Sequence, residues 1–150
     1  QIDVRYIVGG GASFEVYKKK QNFLKFSLTS EFEFTNYKSS EFNYEQYNGD
    51  RTIDTWRTTI WINGKYYFFK KAMILAHEMY FQPSVLDRNN FRWSADISLN
   101  FPIWKYLSFK INYLHTSERI VIAGQKQDDQ FLTLGFTLTS FPDKNKKLAY

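Results

Sequence analysis

Residues 91–101 alternate without a break between apolar and polar side chains. Phe91, Trp93, Ala95, Ile97, Leu99 and Phe101 fall on one side; Arg92, Ser94, Asp96, Ser98 and Asn100 fall on the other. Successive residues of a strand point to opposite faces, so this pattern describes a β-ribbon with one apolar and one wet face. A helix, whose period is about 3.6, cannot hold the same set on one side. The length also suits a tilted strand crossing a bilayer, which takes about 9–11 residues.

The rhythm recurs in six further segments. In 4–17, Val4, Tyr6, Val8, Ala12, Phe14 and Val16 oppose Arg5, Ser13 and Glu15. In 22–37, Leu24, Phe26, Leu28, Phe32 and Phe34 oppose Lys25, Ser27, Thr29, Glu31, Glu33 and Thr35. In 53–68, Trp56, Ile60, Ile62, Tyr66 and Phe68 oppose Thr55, Arg57, Thr59, Asn63 and Lys65, with Trp61 on the polar side. Segments 72–82, 106–116 and 131–141 repeat the pattern around Met73, Leu75, Met79 and Phe81, around Leu107, Phe109, Ile111 and Tyr113, and around Leu132, Leu134, Phe136 and Leu138. Prolines 83, 102 and 142 sit at segment ends, where they remove no ladder hydrogen bond. The prediction is an all-β, antiparallel up-and-down arrangement.

The composition agrees. Aromatics are 20% of the chain, which favours pleated surfaces and excludes a disordered class. The mean hydropathy of −0.48 excludes a helical membrane protein, yet an alternating barrel averages to such a value. Without cysteine there is neither a disulfide framework nor a thiolate metal site. The net charge of +5 is spread out apart from Lys18–Lys20 and Lys144–Lys147, which reads as solvated turns and tail, with no nucleic-acid partner. Gln1 leads directly into strand-like sequence, so a targeting segment is expected to be removed or to lie outside this chain.

Connections between the segments alternate in length: 18–21 short, 38–52 long, 69–71 short, 83–90 medium, 102–105 short, 117–130 long. Outer-membrane barrels keep short turns on the periplasmic side and longer loops outside. On that pattern the three longer loops are extracellular, 1–141 is the barrel domain and 142–150 a periplasmic tail. Bacterial barrels have an even strand number, so either an odd number of strands is missing, expected upstream as part of a larger barrel, or one of the seven segments is two strands. An unpaired edge is untenable in lipid, where every backbone donor and acceptor needs a partner.

Alternation alone leaves open which face is inside. Charges of both signs sit mid-strand on the polar face: Glu31, Glu33, Arg57, Glu78, Arg92, Asp96 and Lys110. They are assigned to a lumenal network, with Glu78 or Asp96 expected to pair with Arg57, Arg92 or Lys110, since buried charges need partners. Phe91, Trp93, Ile97, Leu99, Phe109, Ile111, Leu134 and Phe136 are assigned to the lipid face, where His77 and Asp54 are the main polar exceptions. Tyr17, Tyr37, Trp56, Tyr66, Tyr80, Trp93 and Tyr106 lie near strand ends, as interfacial girdles would. A lipocalin-like Gly-x-Trp is missing from the first segment, which carries Gly9-Gly10-Gly11 instead.

Little in the chain points to chemistry. His77 and Glu78 are strand neighbours and cannot converge. His115 reads as an interfacial ring, and two histidines without cysteine make a poor transition-metal set. No Gly-x-Ser-x-Gly elbow occurs. Asp128-Asp129 and Asn48-Gly49-Asp50 read as turn chemistry, with calcium as the alternative. Gly9-Gly10-Gly11 precedes no helix, so it is no phosphate cradle; it is expected to permit a bend or to make room for Trp61 or Tyr80.

Three runs carry a family resemblance: Met79-Tyr80-Phe81-Gln82-Pro83-Ser84, Ala95-Asp96-Ile97-Ser98-Leu99-Asn100-Phe101-Pro102 and Tyr106-Leu107-Ser108-Phe109-Lys110-Ile111-Asn112-Tyr113. With Asp128-Asp129-Gln130-Phe131-Leu132-Thr133-Leu134-Gly135, the chain over 5–141 resembles the domain-of-unknown-function family four-eight-one, also labelled salt-induced outer membrane protein. That resemblance implies a bacterial outer-membrane β-barrel with further strands upstream and no assigned activity. It carries over no catalytic residue and no cofactor. Phe141 stands where such barrels end on an aromatic, although nine residues follow it here. The expectation is a non-enzymatic, Gram-negative envelope protein with a structural or assembly-subunit role, in contact with outer-membrane lipid and with other outer-membrane proteins. A narrow pore, a soluble periplasmic ligand-binding barrel and an outer-membrane lipase or protease are the alternatives.

Overall fold

Period-two sequence folds into period-two structure. The computed structural model describes residues 2–138, in which seven strands follow one another: β1 (Ile2–Lys19), β2 (Asn22–Tyr37), β3 (Thr52–Phe68), β4 (Met73–Pro83), β5 (Phe91–Trp104), β6 (Leu107–Glu118) and β7 (Asp128–Leu138). Each pairs antiparallel with the next, giving one open up-and-down sheet in the order β1 to β7. Residues 139–150, including the predicted end of the last strand, Phe141 and the tail, lie outside the described residues.

The last strand differs from its predicted 131–141 boundary. It begins at Asp128 because Asp128 and Asp129 pair with Ser117 and Thr116. These two acids therefore belong to a strand and not to a turn. Similarly, β5 runs past Pro102 to Trp104 through a register shift between those residues, which accommodates a proline that cannot donate to the ladder.

Paired residues share a face, so the register sorts the side chains. One row runs Leu75, Leu99, Ile111, Leu134 and another Ser27, Trp61, Tyr80, Ser94, Thr116, Asp129. The polar face is the inner one. Glu33, Arg57 and Arg92 are 2%, 3% and 8% exposed, whereas Leu134 and Phe136 on the apolar face are 62% and 70% exposed. The sheet curls around its polar face far enough for Arg5 on β1 to meet Glu118 on β6 at 2.5 Å.

The three longer connections lie at one end and interlock. Phe42 forms a β-bridge with Ile122, and Asn43 exchanges hydrogen bonds with Val121. Beneath them Tyr37, Phe42, Ile53, Ile120 and Val121 are buried, with Tyr47 and Ile122 against this cluster. Tyr37 thus belongs to a small core under the loops and not to a girdle. Tyr80 also faces inward, opposite Trp61.

Gly9 and Gly11 are explained by backbone, not by a bulky neighbour. A Cβ on Gly11 would lie 2.2 Å from the carbonyl oxygen of Leu28, and one on Gly9 would lie 2.3 Å from that of Ser30. The β1–β2 ladder runs through all three glycines in register, and neither Trp61 nor Tyr80 is what a Cβ there would meet. Gly10 has open space. Gly11→Val is expected to destabilise the fold by about 2 kcal/mol or more, because a main-chain clash cannot be relieved by a rotamer. Gly10→Val should stay within about 0.5 kcal/mol of the parent. Parallel urea titrations of the two variants measure the contrast, and equal effects would refute the close approach.

Candidate functional site

The inner face gathers its charges just below the loop end. Glu33 on β2 accepts from two guanidinium groups, Arg92 at 2.6 Å and Arg57 at 3.1 Å, and forms an ion pair with a third, Arg5, at 3.5 Å. Thr35 donates to the same carboxylate at 3.1 Å. Register brings these groups together, since Arg5 pairs with Thr35 and Arg57 with Glu31 on the neighbouring strands. Glu118 takes a second contact from Arg5 and lies 3.8 Å from Arg92.

Neutral side chains complete the network. Gln82 donates to Glu31 at 2.5 Å and to Thr59 at 2.6 Å, while its carbonyl accepts from Arg92. Arg57 donates to Asn90 Oδ1 at 2.7 Å. Arg5, Arg57 and Arg92 thus share the space with Glu31, Glu33 and Glu118, and formal charge balances. A buried ionic group is tolerated when paired and hydrogen-bonded. With its oxygens engaged by three arginines and a hydroxyl, Glu33 is poorly placed to act as a general base.

Of the seven predicted lumenal residues, Glu31, Glu33, Arg57 and Arg92 meet here. Glu78, Asp96 and Lys110 lie on the same face nearer the short turns, lining a cavity of about 450 Å³. Among the described residues, neither Glu78 nor Asp96 makes the expected ion pair with Arg57, Arg92 or Lys110. Instead the two carboxylates are direct cross-strand neighbours, and Glu33 takes the arginines. Arg5, Gln82 and Glu118 escaped the sequence reading. Arg5 was visible on a polar face, but nothing in its own strand signals a partner more than a hundred residues away. Glu118 fell in a segment read as loop.

The predicted apolar set lies wholly on the outer face. Phe109 pairs with Phe101 and Phe136, Ile111 with Leu99 and Leu134, Ile97 with His77, and Trp93 with Phe81; Phe91 lies opposite Pro83. His77 stacks on Tyr66, its ring occupying the space that a Cβ on Gly64 would take. His115 meets the Trp93 ring edge-on at 4.4 Å between centroids and lies 3.5 Å from Asp128. Among the described residues no group of three or more His, Cys, Asp or Glu side chains could hold a metal ion.

The loops close over this network. Tyr47 donates its hydroxyl to Asp87, which also accepts from Gln46 at 2.7 Å, tying the 38–51 segment to the 84–90 segment. Asp50 accepts from the backbone N–H and the hydroxyl of Thr52, which is the turn role predicted for Asn48-Gly49-Asp50. Partial burial and the bond to Asp87 push the Tyr47 phenol up to about 12. A raised phenol pKa stabilises the neutral form, so this contribution is complete below the ordinary value of about 10 and lost as pH rises through about 12. Loop closure, followed by hydrogen exchange or limited proteolysis, is expected to weaken over that alkaline window. Tyr47→Phe should remove this component of the pH dependence; an unchanged profile would refute the assignment.

A model of the family described as "Protein of unknown function, DUF481" matches residues 1–139. No curated protein and no solved structure matches the chain.

Proposed function

The chain belongs to the DUF481 family, and from that premise we propose that it forms a β-barrel of the bacterial outer membrane with a structural or assembly-subunit role. One observation carries this reading: the buried face is charged and the exposed face is hydrocarbon. A soluble ligand-binding barrel needs the opposite, because apolar area left in water forfeits roughly 25 cal/mol per Å². In lipid the same surface has no such cost. The lumen of a narrow barrel is then filled by the Glu33 network and covered by the interlocked loops. Its outer partners are membrane lipid and other outer-membrane proteins, and the protein is not an enzyme.

The sheet edges support closure by further strands. β1 and β7 run in the same direction, so antiparallel closure takes an odd number of additional strands between them. One such strand gives eight, a size at which side chains just fill the interior.

The test is integration. Protein refolded with vesicles is expected to float with the lipid and to resist alkaline carbonate extraction; a monodisperse, detergent-free species would overturn the reading. The pore alternative rests on the cavity beside Glu78, Asp96 and Lys110. A plugged barrel is expected to give no steady conductance in planar bilayers. A conductance changed by Asp96→Asn or Lys110→Ala would favour the pore instead.

A further inference from the structure

The two ends of the sheet differ in charge. The loop segments 38–51, 84–90 and 119–127 mix Lys38, Arg51, Arg88, Arg119 and Lys126 with Glu41, Glu45, Asp50 and Asp87. The turns at the opposite end carry only one sign: Lys18, Lys19 and Lys20 at the end of β1, Lys70 and Lys71 after β3, and Lys105 after β5. Lys18 is engaged by Glu15 at 3.3 Å. Among the described residues, Lys19, Lys20, Lys70 and Lys71 have no carboxylate within 4.0 Å.

These four lysines converge. The β1–β2 and β3–β4 turns are tied together where Tyr67 donates its backbone N–H to Asn22 Oδ1 at 2.9 Å. Between them lies a cleft of about 600 Å³, lined by Lys19, Lys20, Lys70 and Lys71 with Tyr17 and Tyr67. The backbone is held there at a cost. Among the described residues, the non-glycine residues in the left-handed region are Lys20 (φ 58°), Phe69 (50°), Lys70 (56°) and Lys71 (76°). Glycine or asparagine would adopt that conformation more readily than lysine. Three of these four strained positions are lysines lining one cleft, which points to a role for their charge. Beside the cleft project Phe69, 77% exposed, and, from the next turn, Trp104, 71% exposed. Aromatic rings next to long cationic side chains are the composition of a membrane–water interface.

We propose that the short-turn end is a docking surface for the phosphate headgroups of anionic phospholipid, with the Lys19, Lys20, Lys70 and Lys71 cleft as its centre. This deepens the membrane reading and rests on it. The occupant follows from charge complementarity at the membrane boundary, where a lysine near an anionic surface strengthens association roughly fivefold. Phe69 and Trp104 then enter the headgroup layer while the ammonium groups meet phosphate.

The decisive variant removes charge without removing the fold. Lys20→Asn, Lys70→Asn and Lys71→Asn together place a residue that tolerates positive φ at each of the three strained lysine positions. The triple variant should therefore refold and integrate into phosphatidylcholine vesicles at least as well as the parent. Lipid preference is read as the enrichment of phosphatidylglycerol over phosphatidylcholine around the reconstituted protein. It is expected to fall about tenfold or more in the triple Asn variant and to survive in the corresponding triple Arg variant. Equal enrichment in parent and triple Asn variant would overturn the proposal while leaving the barrel intact. So would saturable binding of free pyrophosphate, with the same lysine dependence, by parent protein that shows no lipid preference. Failure of the parent to integrate into any vesicle would overturn this inference and the membrane reading together.

Discussion

Glu33→Gln is expected to lower the unfolding free energy by about 3–5 kcal/mol, the cost of removing one partner from a buried ionic cluster. Glutamine keeps the shape, so no cavity opens, but it takes away the negative charge that Arg57 and Arg92 share. Both arginines are under a tenth exposed and cannot swing into water without unmaking bonds to Asn90 and Gln82. Glu118 could take up part of the charge on Arg5 and Arg92, because it already contacts both. Among the described residues Arg57 has no such second carboxylate within 4.0 Å. Removing Arg92 as well, by Arg92→Gln, should restore a substantial part of the loss, since a deleted pair is far less harmful than an orphaned charge. Urea unfolding of the vesicle-reconstituted protein, followed by tryptophan fluorescence, measures both variants. A loss below about 1 kcal/mol for Glu33→Gln would mean that the cluster is hydrated and the plug reading is wrong.

The second large effect separates two adjacent residues of β6. Ile111 lies on the outer face in the row of Leu75, Leu99 and Leu134, whereas Asn112 lies inside, opposite Ser98 and Thr133. In a bilayer, an arginine at the mid-depth of the lipid face costs about 2–4 kcal/mol. Ile111→Arg should therefore destabilise the reconstituted protein by that amount. Asn112→Arg places the same charge on the polar face, beside a cavity lined by Glu78 and Asp96 as well as by Lys25, Lys65 and Lys110, so a smaller loss is expected. If Ile111→Arg is tolerated as well as Asn112→Arg, the outer face is not in lipid. The contrast is informative because the two variants share the introduced residue, the strand and the depth.

Much of this arrangement was legible from side-chain alternation. Phe91 to Phe101 specified a two-faced strand, and the same period in six other segments, with the alternation of short and longer connections, specified the sheet order. The split into faces was equally readable, because a one-residue slip would have exchanged every Phe and Leu for a Thr or Lys. Partner choice was not readable. Whether Glu33 or Glu78 meets Arg92 depends on the relative offset of β2, β4 and β5, and a single strand's alternation carries no record of that offset. The boundary of β7 was missed for a related reason. Asp128 and Asp129 have the propensity of turn residues, and only cross-strand pairing with Ser117 and Thr116 draws them into the ladder. The small core under the loops was hidden because Tyr37 and Ile53 continue the strands while Phe42, Ile120 and Val121 look like isolated apolar residues. The lysine cleft was seen only as Lys18–Lys20, since Lys70 and Lys71 join it through the meeting of two turns.

The contact between Arg5 and Glu118 also orders events in time. Every hairpin of the sheet closes a chain segment of modest length, but this ion pair closes one of 113 residues. Loop-closure entropy grows with that separation, and non-local contacts are the slow ones to form. The hairpins can therefore zip in any order, whereas Arg5 meets Glu118 only after the intervening strands are in register. The bond is a latch that reports completion: its appearance marks the moment at which a row of independent hairpins becomes one sheet curled around its buried charges.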